Sequence, residues 1–170
     1  MPAIGAIAAA LFGAVWLGWW CLAELDGAPA SLVAVAVGAL LLCVIAVRQL
    51  RSGRGSGHRF ATGAPRPDAR RVFGIVNLVQ WVAIVGAAVL LPQLGLGRWL
   101  LATAILIVGL HFLPLAAAFR FRLLYFTGIA MVLVAVIYPF AASQGPADPV
   151  GALGAGLVLW ATAAGALAGG

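Results

Sequence analysis

The residues best suited to chemistry in this sequence are few and uncharged: Asn77, Gln80, His111, Thr127 and Tyr125. All five stand within long apolar runs, where a polar side chain needs a reason to be. Asn77, Gln80 and Trp81 are spaced three and four apart, which puts them on one face of a helix. His111 is the one imidazole inside an apolar run. A neutral imidazole donates through one ring nitrogen and accepts through the other. Ionisable residues at membrane depth are functional candidates by default.

Depth along a helix follows from a rise of 1.5 Å per residue. Measured from Arg71, Asn77 is about 9 Å and Gln80 about 14 Å in. His111 is about 14 Å in from Arg120, and Thr127 about 8 Å in from Arg122. Four polar groups from three successive apolar runs therefore share a depth range on the side that carries most of the arginines. Such a set, with Tyr125 near the start of the fifth run, can form a pocket for a small neutral or weakly ionised solute. It can also act as an interhelical hydrogen-bond clamp, worth about 1 kcal/mol or less.

Other chemistries fail on counting. Zinc needs three or four His, Cys or carboxylate ligands, and His111 stands alone. Paired-histidine haem ligation would need His58, which lies in a Gly- and Pro-rich loop. Cys21 and Cys43 fall near opposite ends of their runs, about a membrane apart, too far for a disulfide. No apolar run contains an Asp or Glu for acid-base work or ion coupling, and Ser31 and Ser143 lie at run ends. The Gly-x-Gly within Arg54–His58 lacks the flanking strand and helix of a phosphate-binding loop. No metal, cofactor or catalytic set is expected, and the balance leans away from an enzyme without deciding the question.

The elements that must position these residues are membrane helices. Of 170 residues, 65% are hydrophobic and 8% charged, against about 25% charged in ordinary soluble domains. This excludes a soluble globular domain, a disordered chain and a disulfide scaffold. Six apolar segments are expected to span a bilayer, at about 3–23, 29–47, 72–92, 99–119, 123–142 and 149–168. They are continuous rather than alternating, so a β-barrel is excluded. The expected fold is all-α: one six-helix transmembrane domain over 1–170, with an Arg-rich, mobile loop at 48–71.

The charges are ten Arg, no Lys and four acids. Nine Arg fall in the second-to-third and fourth-to-fifth connections, and only Arg98 falls opposite. The positive-inside rule then puts both termini in the cytoplasm. Abundant Ala and Gly without Lys point to a GC-rich bacterial genome, hence an inner membrane. The basic balance is explained by topology, so no nucleic-acid partner is expected. Met1–Gly13 lacks a basic leader region, and the first segment reads as retained. The arginines from Arg48 to Arg71 can also meet anionic headgroups, at about 1 kcal/mol each.

Small residues recur every four positions: Gly5, Ala9 and Gly13 beside Ala6, Ala10 and Ala14; Ala30, Ala34 and Gly38; Ala152 and Gly156; Ala161 and Gly165. Such rows bring helix backbones close, within the chain, in a homo-oligomer or against a membrane partner. Pro114 is expected to bend the fourth helix and to free the Leu110 carbonyl beside His111. Trp16, Trp19, Trp20, Trp99 and Tyr138 suit an outer aromatic belt, and Trp81 and Trp160 suit core filling. No repeat relates the first three segments to the last three. The functional expectation is a small permease-like protein. The alternatives are an accessory membrane subunit and a lipid-modifying enzyme with His111 as base.

Overall fold

The computed structural model describes residues 2–52 and 60–168. Its six long helices are α1 (Pro2–Glu24), α2 (Pro29–Arg51), α3 (Ala69–Gln93), α4 (Leu100–Phe119), α5 (Arg122–Ala141) and α6 (Val150–Ala168). Each is long and apolar enough to cross a membrane. The expected segments match these helices, with shifts of a turn or less at the ends. The largest shift is at α2, which continues through Arg48 to Arg51. Cations in a last turn offset the negative end of the helix dipole, and long Arg stems let the charge reach water.

The chain divides into two compact units, residues 1–61 with 152–170, and residues 62–151. The first contains α1, α2 and nearly all of α6. Here Gly13, Gly38 and Gly156 of the small-residue rows pack within the chain, while Gly5, Ala30, Ala34 and Ala161 are exposed. A Cβ placed on Gly13 would lie 3.1 Å from the Gly156 carbonyl oxygen, and one on Gly156 would lie 3.0 Å from that of Gly13. Only glycine allows so close an approach of α1 to α6. The Trp160 indole fills the space over both Gly13 and Gly38, joining α6 to α1 and α2. Its Nε1 donates to the Ala10 carbonyl at 3.0 Å, so the indole N–H of this half-buried side chain is satisfied. At the far end of α6, the Gln49 side-chain amide donates to the Leu167 carbonyl at 2.9 Å, one of the acceptors a helix end leaves free.

The second unit is built on α4, which packs against both α3 and α5. The α4–α5 pair meets through two glycines. A Cβ on Gly109 would lie 3.0 Å from the Val132 nitrogen, and one on Gly128 would lie 2.9 Å from the Gly109 carbonyl oxygen. The tight turn between these helices places Arg120 in the left-handed region at φ 50°. Its carbonyl accepts from both the backbone nitrogen and the hydroxyl of Thr62, at 2.9 and 3.0 Å. The Arg66 nitrogen donates to the Ala118 carbonyl at 2.9 Å. The segment leading into α3 is thereby strapped onto the α4–α5 turn. Arg66, Arg70, Arg71, Arg120 and Arg122 consequently lie, exposed, at one end of this unit.

At the opposite end, Trp99 and Phe140 make an edge-to-face contact at 6.2 Å. Tyr138 departs from the belt expectation: it is buried and its hydroxyl donates to the Pro146 carbonyl at 2.9 Å. Gly151 leaves room for its ring. Trp81 is not core filling either, being 55% exposed, because it lies off the side of α3 that meets α4. Helix α4 is continuous through Pro114, which is exposed. Pro139 falls two residues before the end of α5.

Candidate functional site

The side of α3 that is covered runs through Val72, Val76, Gln80, Ala83, Ala87 and Leu91. Their spacing of three and four traces one stripe, while Leu78, Val82, Val85 and Val89 lie bare on the other side. Gln80 is thus central in the stripe that meets α4. On α4, Gly109, Phe112 and Leu113 face α5. His111 is displaced by about 200° from Gly109 on the helical wheel. It shares a stripe with Leu115 and Ala118, both buried, beside Phe119, whose ring meets Phe73 of α3 at 6.3 Å.

That ring contact sets the register of the antiparallel α3–α4 pair. Gln80 is seven residues from Phe73, about 10 Å along α3, and His111 is eight residues from Phe119, about 12 Å along α4. The two polar residues therefore stand at one level of one helix interface. Helix α4 positions His111 by a local bond: Nδ1 lies 3.1 Å from the Val108 carbonyl oxygen. A carbonyl only accepts, so Nδ1 carries the hydrogen and Nε2 of the neutral ring keeps its lone pair. The Phe112 ring lies against the imidazole at a centroid distance of 4.6 Å.

The Gln80 Oε1 atom is fully enclosed and accepts no hydrogen bond from the described residues. Buried polar atoms in native structures almost always find a partner. An enclosed carbonyl with none is therefore the least ordinary polar feature of this unit.

The remaining three candidates lie apart from this pair. Asn77, one turn nearer the Arg-rich end, donates from Nδ2 to the Phe73 carbonyl of its own helix at 3.1 Å. Thr127 is 2% exposed and donates to the Leu123 carbonyl at 2.9 Å. It adjoins Gly128 at the α4–α5 crossing, so it stands near the level of His111 but on the α5 side of α4. Tyr125 is 41% exposed and lies two residues away, on another face of α5. By helix register Gln80 and His111 fall at a similar level of α3 and α4, and Asn77, Thr127 and Tyr125 each have surroundings of their own.

One polar centre carried no special signal in composition. Asp148, 6% exposed, accepts from the Val150 nitrogen at 3.0 Å, the Gln144 nitrogen at 3.1 Å and the Ser143 hydroxyl at 3.2 Å. The Val150 and Gln144 N–H groups, helped by Ser143, hold its carboxyl below the usual carboxylate range, against the opposing effect of burial. Its position just before α6 is a helix-start signature, and with every bond satisfied it pins the α5–α6 connection. On α1, an open apolar groove of about 530 Å³ is lined by Ala14, Val15, Gly18, Trp19, Leu22 and Ala23, and it presents no polar side chain. Among the described residues no group of three His, Cys, Asp or Glu side chains is arranged to hold a metal. His58, Arg54 and Arg59 lie outside the described residues.

Comparison with family models, with curated proteins and with solved structures finds no match to this chain.

Proposed function

We propose that this chain is a multi-pass protein of a bacterial inner membrane, with both termini in the cytoplasm. On this reading it is permease-like, and it takes a small neutral or weakly ionised solute from the cytoplasmic side to Gln80 and His111. The observation that carries the reading is the enclosed, unpartnered Gln80 Oε1 at the level of His111. Leaving such an acceptor without a partner costs about 1–3 kcal/mol. A binding site tolerates that cost because the solute satisfies the group. The six helices carry no acid except Glu24, the last residue of α1, and this favours an uncharged solute over an ion-coupled one. The orientation rests on the positive-inside rule, to which the exposed arginines at the strapped end of the second unit contribute. The same arginines are proposed to meet anionic headgroups.

The test is solute flux in proteoliposomes, followed by light scattering after an osmotic step with a panel of small uncharged solutes. The wild type is expected to raise the permeability of at least one solute above that of protein-free liposomes. His111→Ala is expected to reduce it. If His111→Ala alters stability but leaves every flux unchanged, the site assignment is lost.

The bare side of α3, with Leu78, Val82, Val85 and Val89, supports a second reading, an accessory subunit that acts through helix contacts with a membrane partner or another copy. Crosslinking through that face to a stoichiometric partner, with no solute flux, would favour it.

A further inference from the structure

The strapped end of the second unit supports an inference that rests on the proposed contact of its arginines with anionic headgroups and goes beyond it. We infer that headgroup phosphates are the counter-charge that holds the strap closed. Residues 62–66 dock on the α4–α5 turn in an anionic bilayer and open in a zwitterionic one.

The strap is held by little else. The Thr62 nitrogen and hydroxyl donate to the Arg120 carbonyl, and the Arg66 nitrogen donates to the Ala118 carbonyl. Residues 62–68 are all exposed, so no apolar burial supports these bonds. Exposed backbone bonds of this kind open most readily. Closing the strap also gathers like charge. It sets Arg66 against the chain two residues before Arg120. Gly63, at φ 154°, makes room for the Arg120 guanidinium, since a Cβ there would lie 3.2 Å from its Nη1. Arg70 and Arg71 follow in the first turn of α3. Among the described residues of this end the one acid is Asp68, whose carboxylate lies 3.5 Å from the Arg66 Nε, both side chains being about half exposed. Such a pair contributes little. Arg70, Arg71, Arg120 and Arg122 make no ion pair among the described residues. Gathered cations without acids repel one another, and a guanidinium matches a phosphate through two parallel N–H bonds. Arg71 directly precedes the apolar part of α3, and Arg120 and Arg122 separate two apolar helices. On the membrane-spanning reading that is the level where hydrocarbon meets headgroups. Four of the five arginines belong to the helices and their turn, and Arg66 alone arrives with the strap. One arginine at an anionic surface is worth about fivefold in binding, so an anionic bilayer shifts the strap toward its closed state by about that factor.

The experiment places the full chain in nanodiscs of phosphatidylcholine alone, or of phosphatidylcholine mixed equally with phosphatidylglycerol. Amide hydrogen exchange at Thr62 and Arg66 reports opening of the strap, and residues 94–97, at the opposite end of the unit, serve as the reference. Exchange at Thr62 and Arg66 is expected to slow about fivefold in the anionic discs, with the reference unchanged. Arg66→Gln keeps the backbone bond and removes the charge of an exposed side chain. It is expected to exchange equally in both discs, and Arg66→Lys is expected to recover the difference. Inorganic phosphate added to phosphatidylcholine discs at matched ionic strength is expected to change nothing. Equal exchange of the wild type in the two discs overturns the inference. So does an Arg66→Gln protein that keeps the full difference, or free phosphate that closes the strap as well as the lipid does. Retention of spin-labelled phosphatidylglycerol against labelled phosphatidylcholine is measured on the same chain. Preference for the anionic lipid without slower exchange overturns the strap and leaves the headgroup contact standing. No preference overturns the headgroup contact itself, and the inference with it.

Discussion

The glycine crossing of α4 and α5 gives a quantitative prediction. Replacing Gly128 by Ala adds one methyl group whose carbon would lie 2.9 Å from the Gly109 carbonyl oxygen, 2.9 Å from the Leu113 Cδ2 and 3.3 Å from the Phe112 Cβ. The Leu113 tip can move. The carbonyl oxygen belongs to the facing backbone and moves only if the helices separate. Overpacking of this kind costs about 1–3 kcal/mol, while Ala gains up to about 1 kcal/mol over Gly in helix propensity. The net expectation is a loss of about 1–2 kcal/mol. Gly86 provides the control, because a Cβ there meets nothing within 4 Å. Gly86→Ala is expected to be neutral or stabilising by up to about 1 kcal/mol. Reversible unfolding in mixed micelles, followed by far-ultraviolet circular dichroism, measures both. A Gly128→Ala protein as stable as Gly86→Ala would refute the close approach of α4 to α5.

Gln80→Leu is expected to raise stability by about 1 kcal/mol, since it removes an enclosed acceptor that has no partner, while lowering solute flux; the same unfolding assay and the flux assay read the two effects. Trp160→Ala is expected to cost about 3 kcal/mol, the lower end for large core aromatics because Trp160 is half-buried, and Trp160→Phe less, the difference reflecting the bond to the Ala10 carbonyl; thermal denaturation ranks them. Asp148 contributes stability with a definite sign. Its carboxyl titrates lower in the folded state than in the unfolded chain, so its contribution is complete above the ordinary carboxylate range near pH 4 and is lost as pH falls through the lower folded value. Asp148→Asn should flatten that acid limb of the stability profile, measured by thermal denaturation between neutral and strongly acidic pH.

Much of the architecture was legible in the sequence because hydrocarbon admits few solutions. Continuous apolar runs of about 20 residues must be helices, and all six expected segments coincide with helices in the structure. The Gly13 and Gly156 rows were legible as packing signals, but not their partners, since a small-residue row says only that something approaches closely. Trp81 and Trp160 show the limit most clearly. Both fall at similar depth in apolar runs, yet Trp160 lies over two glycines and Trp81 lies bare, because helix rotation is decided by neighbours and not by depth. The polar candidates show it again. Depth placed Gln80, His111 and Thr127 together, and rotation put Thr127 on the α5 side of α4. Asp148 was visible as a charge outside the helices, while its three hydrogen bonds depend on the turn that brings Ser143 and Gln144 to it. Tyr138 read as a belt residue because its depth and type fit one, and the Pro146 carbonyl and Gly151 draw it inward.

The central claim is that Gln80 and His111 form a polar site reached from water on the Arg-rich side. Cysteine accessibility tests it most directly. In a Cys21→Ala, Cys43→Ala background, Gln80→Cys and Val82→Cys are compared for reaction with a small water-soluble methanethiosulfonate reagent applied from either side of the membrane. The thiolate is the reactive form, and it forms only where water reaches. The account predicts modification of Gln80→Cys from the Arg-rich side, with Val82→Cys unreactive on the bare side of α3. A Gln80→Cys protein that is folded and as unreactive as Val82→Cys would contradict it.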